Sequence, residues 1–243
     1  MQYWGLTDPG CVREQNQDAF QMEKLDKNTL LCVICDGMGG AKSGNVASSL
    51  AADVFTQDIR QAWRSDMDQE QIDQMLRGAV KLANFTVYDQ AQQFEDFAGM
   101  GTTLVAVLLS GKQATVVNVG DSRAYCVDRD GISQLTTDPS LVQMMISRGE
   151  LTPEQARRYP GKNLITRAIG TESLVVCDIF HRKLERDDSL LLCTDGLSNL
   201  VDEQEILFEV AHGQEQQQCC QRLLDIAKKR GAPDNVTSVL VVV

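Results

Sequence analysis

The chain has 243 residues, of which 43% are hydrophobic, and a formal net charge of -11 at pH 7. That length and apolar content suffice for one domain, spanning 1–243, with a core that needs neither disulfides nor structural metals. The acidic balance excludes an electrostatic claim on nucleic-acid phosphates or an anionic membrane surface, and it favours cations.

The first five residues carry neither the basic start nor the apolar stretch of a signal peptide. No apolar run approaches the ~18 residues of a membrane span. A soluble, cytoplasmic protein is therefore expected, with a monomer as the default. Strand signals follow at residues 3–7, 19–24 and 29–35, the last an apolar run ending in Asp36-Gly37-Met38-Gly39-Gly40. Helices are expected over 43–57 and from 68 to about 94, the second with Ile72, Met75, Leu76, Ala79, Ala83 and Val87 at helical spacing. Stretches 102–109, 114–119 and 124–127, punctuated by Ser110-Gly111 and Asp130-Gly131, read as an antiparallel meander. Residues 138–170 turn polar and helical, broken by Gly149, Pro153 and Pro160, and read as a surface excursion. Strands at 175–183 and 189–193, helices at 202–211 and 214–230, and a last strand at 236–243 complete the chain. Strands interrupted by paired long helices, without βαβ alternation, imply an α+β layered fold of two antiparallel sheets, each covered by helices.

Of the eight cysteines, Cys32, Cys35, Cys126, Cys177 and Cys193 lie in apolar, strand-like runs, where a thiol serves as a small hydrophobe. The Cys32-x-x-Cys35 spacing also serves zinc and redox sites. Alternation along LLCVIC is nevertheless a strand pattern, and no second such pair or nearby His completes a tetrahedral site. Reduced thiols are expected.

Asp36, Asp121 and Asp195 stand directly after apolar strand runs, and Asp234 leads into the last strand. A single Asp-Gly is ordinarily a turn, and Asp130-Gly131 is read that way. Four carboxylates on one rim repel unless cations neutralise them. With only two histidines in the chain, oxygen ligands select Mg²⁺ or Mn²⁺. Two such ions bridged by a carboxylate suit in-line displacement at phosphorus. Arg13 offers a planar fork for phosphate oxygens.

In chain order, TDPGCVREQNQD, ICDGMGG, GTT at 101–103, NVGDSRAY, DPSLVQMMISRGELTPEQARRYPGKNLITRAIG, LCTDGLSN and GAPDNVTSVLVV resemble one family. It is the metal-dependent Ser/Thr protein phosphatases of the PPM (type 2C) family, above all its bacterial members, and the resemblance covers residues 7–243. It implies a four-layer αββα sandwich of two antiparallel β-sheets flanked by helices, with 138–170 a helical flap beside the active site. It further implies that Asp36 bridges two Mn²⁺ or Mg²⁺ ions, the Gly37 carbonyl completes one, and Asp195 and Asp234 hold the other. Asp121 matches a ligand of a third ion shared with Asp195, Asp18 an acidic position supporting metal-bound waters, and Arg13 the phosphate-binding arginine.

This chain departs from the family in two places. Gln17 stands where the family often has Glu, which weakens one metal, and Met38 stands where eukaryotic members commonly place a proton-donating His. The activity implied is hydrolysis of phosphoserine and phosphothreonine in proteins by a metal-bridging hydroxide, reversing Ser/Thr kinase signalling in bacteria, with a cognate kinase as partner. Cys35 is then packing, because no nucleophilic side chain is required. Two other readings compete. A metal-dependent phosphodiesterase fits clustered carboxylates equally well, though the acidity argues against it. A catalytically dead fold serving as a regulatory binding module conflicts with the retention of Arg13, Asp18, Asp36, Asp121, Asp195 and Asp234.

Overall fold

The computed structural model describes residues 1–39, 43–139, 145–146, 149–152, 155, 166–213 and 215–243. One sheet runs in the order β1 (Gln2–Asp8), β11 (Val236–Val242), β10 (Ser189–Cys193), β7 (Arg123–Asp128), β8 (Gly131–Gln134). The other runs β2 (Asp18–Lys24), β3 (Thr29–Met38), β5 (Leu104–Ser110), β6 (Gln113–Val119), β9 (Asp178–Lys183), with the short β4 (Gly101–Thr102) also on β3. All pairings are antiparallel.

The layering follows from alternation within single strands. On β3, Leu31, Val33 and Cys35 enter a core shared with the helices α1 (Gly44–Ala62) and α2 (Gln69–Gln93). Leu30, Cys32 and Ile34 enter a second core, facing Leu190, Leu192, Val239 and Val241 of the other sheet. Successive side chains of a strand point to opposite faces, so a strand apolar on both faces is covered on both. Across the molecule, Leu191, Cys193 and Leu240 turn away from that central core. They meet α3 (Asp195–Ser198), α4 (Glu203–His212) and α5 (Cys219–Lys229). The result is the expected αββα sandwich. The same alternation sends Cys32 and Cys35 to opposite faces, and all eight thiols are unpaired. Among the described residues no helix is long and apolar enough to cross a membrane.

Helix starts follow side-chain chemistry. Asp68 and Gln71, and likewise Asp202 and Glu205, form reciprocal capping boxes that satisfy the exposed amides of α2 and α4. Elsewhere the boundaries differ from expectation. Helix α1 continues past 57 to Ala62, because Ile59 is still core, and Trp63 then leaves the helix with its ring N–H donated to Asp26. The strand expected from 175 begins at Asp178, where pairing with Asn118 starts; Leu174 and Val176 are exposed. The helix expected from 214 begins at Cys219, after a 3-10 turn over Gln216–Gln218 that follows Glu215 at φ 56°. Strands β4 and β8, two and four residues long, were too short for periodicity to mark. Of the flap expected over 138–170, residues 140–144, 147–148, 153–154 and 156–165 lie outside the described residues.

Phe55, fully buried between α1 and the sheet below it, tests this packing. Phe55→Ala is expected to lower the unfolding free energy by about 3–5 kcal/mol, read as a lower urea midpoint with an unchanged m-value.

Candidate active site

The aspartates singled out in the sequence arrive at one edge of the sandwich from both sheets. Asp36 lies near the end of β3 and Asp121 just beyond β6, while Asp195 follows β10 and Asp234 precedes β11. With Arg13, Gln17, Gly37, Met38, Gly39 and Thr103 they line a cleft of about 320 Å³. Asp18, at the start of β2, stands directly opposite Asp36 in the ladder. Like charges opposed across strands destabilise a sheet unless something neutralises them.

Neighbouring hydroxyls and amides hold these groups in place. Thr102 Oγ1 donates to the Asp36 carbonyl (2.8 Å), and the Asp36 amide donates to Thr103 Oγ1 (3.0 Å), itself 2.7 Å from Ser122 Oγ. Asp18 Oδ2 accepts from Thr237 Oγ1 (2.6 Å) and Thr194 Oγ1 (3.0 Å), joining the start of β2 to strand ends of the opposite sheet. Asn199 donates to Asp195 Oδ2 (3.1 Å). Asn235 fastens the loop that carries Arg13: its Oδ1 accepts the Gln17 amide (2.8 Å), and its Nδ2 donates to the carbonyls of Pro9 (3.1 Å) and Gln15 (3.0 Å). Arg13 projects from that loop, half-exposed, with Nη2 2.9 Å from Asp234 Oδ2. A Cβ at Gly37 would strike the carbonyls of Gly44 and Gln17, so only glycine lets β3 approach α1 this closely.

Desolvation dominates the electrostatics. It raises Asp18 to about 7, above the lowering effect of its two threonine donors, and raises Asp121 to about 7, with the Asp195 charge adding to it. Asp36 is pushed well above the ordinary carboxylate value by burial and then by Asp18, Asp195 and Asp121. Asp195 is raised by burial and by Asp234, offset in part by hydrogen bonds from Asn199 and the Asp36 carboxyl. The Arg13 guanidinium is held still more firmly charged, by its bond to Asp234 above all. Burial pushes the Cys35 thiol up, which disqualifies it as a nucleophile at neutral pH.

This donor set fits hard divalent cations. Its ligating atoms are oxygens, and Asp18 Oδ1 is buried without a hydrogen-bond partner. Among the described residues no three acidic, imidazole or thiol side chains close into a ready-made cage. The carboxylates instead surround an open cleft with room for water ligands, the arrangement Mg²⁺ and Mn²⁺ favour over an all-protein cage.

All seven residues picked out in the sequence (Arg13, Asp18, Asp36, Gly37, Asp121, Asp195, Asp234) are brought to this edge. The positioning groups Thr103, Ser122, Thr194, Asn199, Asn235 and Thr237 were missed as individuals. Polar residues adjoining long apolar runs were the signal that marked several of them. Arg123 was missed too: it grips both oxygens of Asp138 (2.7–3.1 Å) and so ties the first residue of the expected flap to β7, beside Asp121.

Comparison with known proteins places the chain among one set of enzymes. A family model described as "Protein phosphatase 2C" matches residues 12–237. The chain is 34% identical to the serine/threonine phosphatase stp of Listeria welshimeri, over 97% of this chain and 93% of that protein. It is 36% identical to the serine/threonine protein phosphatase PstP of Mycobacterium tuberculosis, over 99% of this chain and 44% of the relative. The crystal structure of the serine/threonine phosphatase Stp1 from Staphylococcus aureus superposes with a TM-score of 0.91 at 36% identity, covering 99% of this chain and 94% of that one.

The buried carboxyls make stability depend on pH. In the fold Asp18 and Asp121 keep their protons to about pH 7, whereas carboxyls of the unfolded chain release theirs near 3.8. Between those values the folded state binds more protons, so stability in chelator should fall as pH rises from about 4 to 7. Asp18→Asn removes one such group. Its melting temperature in EDTA is expected to fall less steeply over that window and to exceed the wild-type value at pH 7.5. Equal slopes by scanning calorimetry would refute the burial argument.

Proposed function

The chain belongs to the protein phosphatase 2C family, and from that premise we propose that it is a metal-dependent protein phosphatase hydrolysing phosphoserine and phosphothreonine in proteins. The observation that carries this reading is the cleft itself, where carboxylates from two sheets surround a guanidinium. Residues 1–243 act as one catalytic unit with 138–170 as a flap, working as a monomer that reverses Ser/Thr kinase signalling in a bacterial cytoplasm.

Asp36 would bridge two Mn²⁺ or Mg²⁺ ions, with the Gly37 carbonyl on one and Asp195 and Asp234 on the other, and Asp121 would serve a third. Bound there, the cations lower the pKa of the attacking water and screen the charge developing on the phosphoryl oxygens. The remaining roles fall to the chain. Arg13, steadied through Nη2 by Asp234, turns its other N–H donors to the phosphoryl oxygens. Asp18, fixed through Oδ2 by two threonines, would use its unpartnered Oδ1 to support the water ligands of the cations. Water adds to phosphorus, the ester P–O bond breaks, and phosphate and the Ser or Thr alcohol leave. Met38 has no proton to offer the departing alkoxide, which takes one from water or another acid.

With a phosphothreonine peptide and Mn²⁺, Asp36→Asn and Asp195→Asn are expected to lower kcat at least about 100-fold. Arg13→Ala is expected to raise KM about tenfold, the scale of one charge-assisted hydrogen bond. Exhaustive chelation should abolish turnover and Mn²⁺ restore it; full activity in chelator would sink the proposal. Gln17→Glu places a carboxylate in the cleft and should lower the Mn²⁺ concentration giving half-maximal rate.

A further inference from the structure

A second cleft, of about 440 Å³, adjoins the first and shares Met38 as its wall. Its other side is the strap from Thr166 to Val176, which contributes Thr171, Glu172, Leu174 and Val176. The Met38 side chain stands over Gly101, where an added Cβ would meet both it (3.5 Å) and the Thr171 methyl (2.7 Å). The two clefts thus lie on either side of Met38.

The strap is anchored along its length. The Gly170 amide donates to Asn84 Oδ1 (2.8 Å), and Asn84 Nδ2 donates to the carbonyls of Glu172 (2.9 Å) and Ser173 (3.3 Å); Asn84 is itself buried within α2. Ile169 exchanges two backbone hydrogen bonds with Thr102, and Arg77 donates to the Cys177 carbonyl (3.0 Å). Backbone pinned at so many points does not turn its side chains outward by fraying, yet Leu174 is 86% exposed and Val176 65%. Two exposed aliphatic side chains lining one cleft form apolar surface of the kind that marks interaction sites. Arg167 in the same cleft is occupied by Asp178, which leaves Glu172 to set a negative rim.

We infer that this cleft receives an aliphatic side chain next to the phosphorylated residue of the substrate, and that Leu174 and Val176 set a preference for apolar over acidic flanking residues. The occupant is an extended phosphoprotein segment, because the cleft shares Met38 with the catalytic one, within reach of a residue next to the phosphorylated one, and Glu172 disfavours acidic neighbours. The inference rests on the phosphatase reading of the first cleft and adds a substrate class to it.

The test uses phosphothreonine peptides carrying Leu, Ser or Glu scanned through three positions on either side of the phosphorylated residue. For the favoured position, wild-type kcat/KM for Leu over Ser should be about tenfold, the scale of burying one partly exposed Leu side chain, with Glu below Ser. Leu174→Asp and Val176→Asp should each bring the Leu-to-Ser ratio towards 1, chiefly through KM. Phe85→Asp, at a comparably exposed apolar position of α2 outside the cleft, should keep the wild-type ratio. The same contrast should appear in fluorescence anisotropy with phosphonate analogues that are not turned over. A wild-type ratio near 1 at every position, or a ratio unmoved by both variants, would overturn the inference. If no peptide is hydrolysed but the anisotropy contrast persists, the phosphatase reading fails while the binding cleft stands.

Discussion

The carboxylate of Asp18 begins in one sheet and is bonded in the other. Its Oδ2 takes hydrogen bonds from Thr194, at the end of β10, and Thr237, on β11, while its backbone pairs with Asp36 on β3. Thr7 and Asn16 extend the chain of donors back into β1 and the Arg13 loop. A buried carboxylate left without donors would be costly. One side chain thus ties the two sheets together at the edge where the aspartates gather, beside the bonds of Asn235 to the Arg13 loop.

The same junction concentrates negative charge in a desolvated place. Asp36, Asp121 and Asp195 all sit above their ordinary carboxylate values because burial and one another's charge disfavour ionisation. A fold that gathers such groups, holds them with threonine and asparagine donors, and leaves one oxygen of Asp18 without a partner is poised for cations. The strain is local, and the three apolar layers that surround it carry the stability.

Much of this was legible in the chain. Strands such as 29–35 and 189–193 were readable because they are apolar on both faces, and α2 because its core residues recur at helical spacing. The aspartates stood out because each adjoins an apolar strand run. Other features were illegible for physical reasons. Strand β4 is two residues long, so no period exists to be seen. The strand expected from 175 starts late, because Val175 packs on the core while Val176 is exposed and the carbonyls of Ser173 and Cys177 are taken by Asn84 and Arg77; tertiary partners overrode local propensity. Asn235 and Thr194 owe their roles to partners about 220 and 180 residues away in sequence, and no local pattern announces a hydrogen bond of that span.

Strand β11 is last in chain order yet lies between β1 and β10. Until it inserts, the first-made strand of that sheet has no neighbour there, and Asp234, Asn235 and Thr237 are missing from the edge. These three residues therefore reach the edge through a pairing between segments at 2–8 and 236–242, and long-range pairing of this kind is slow to form. With Asp36 and Asp121 carried by one sheet and Asp195 and Asp234 by the other, neither sheet on its own would present the cleft.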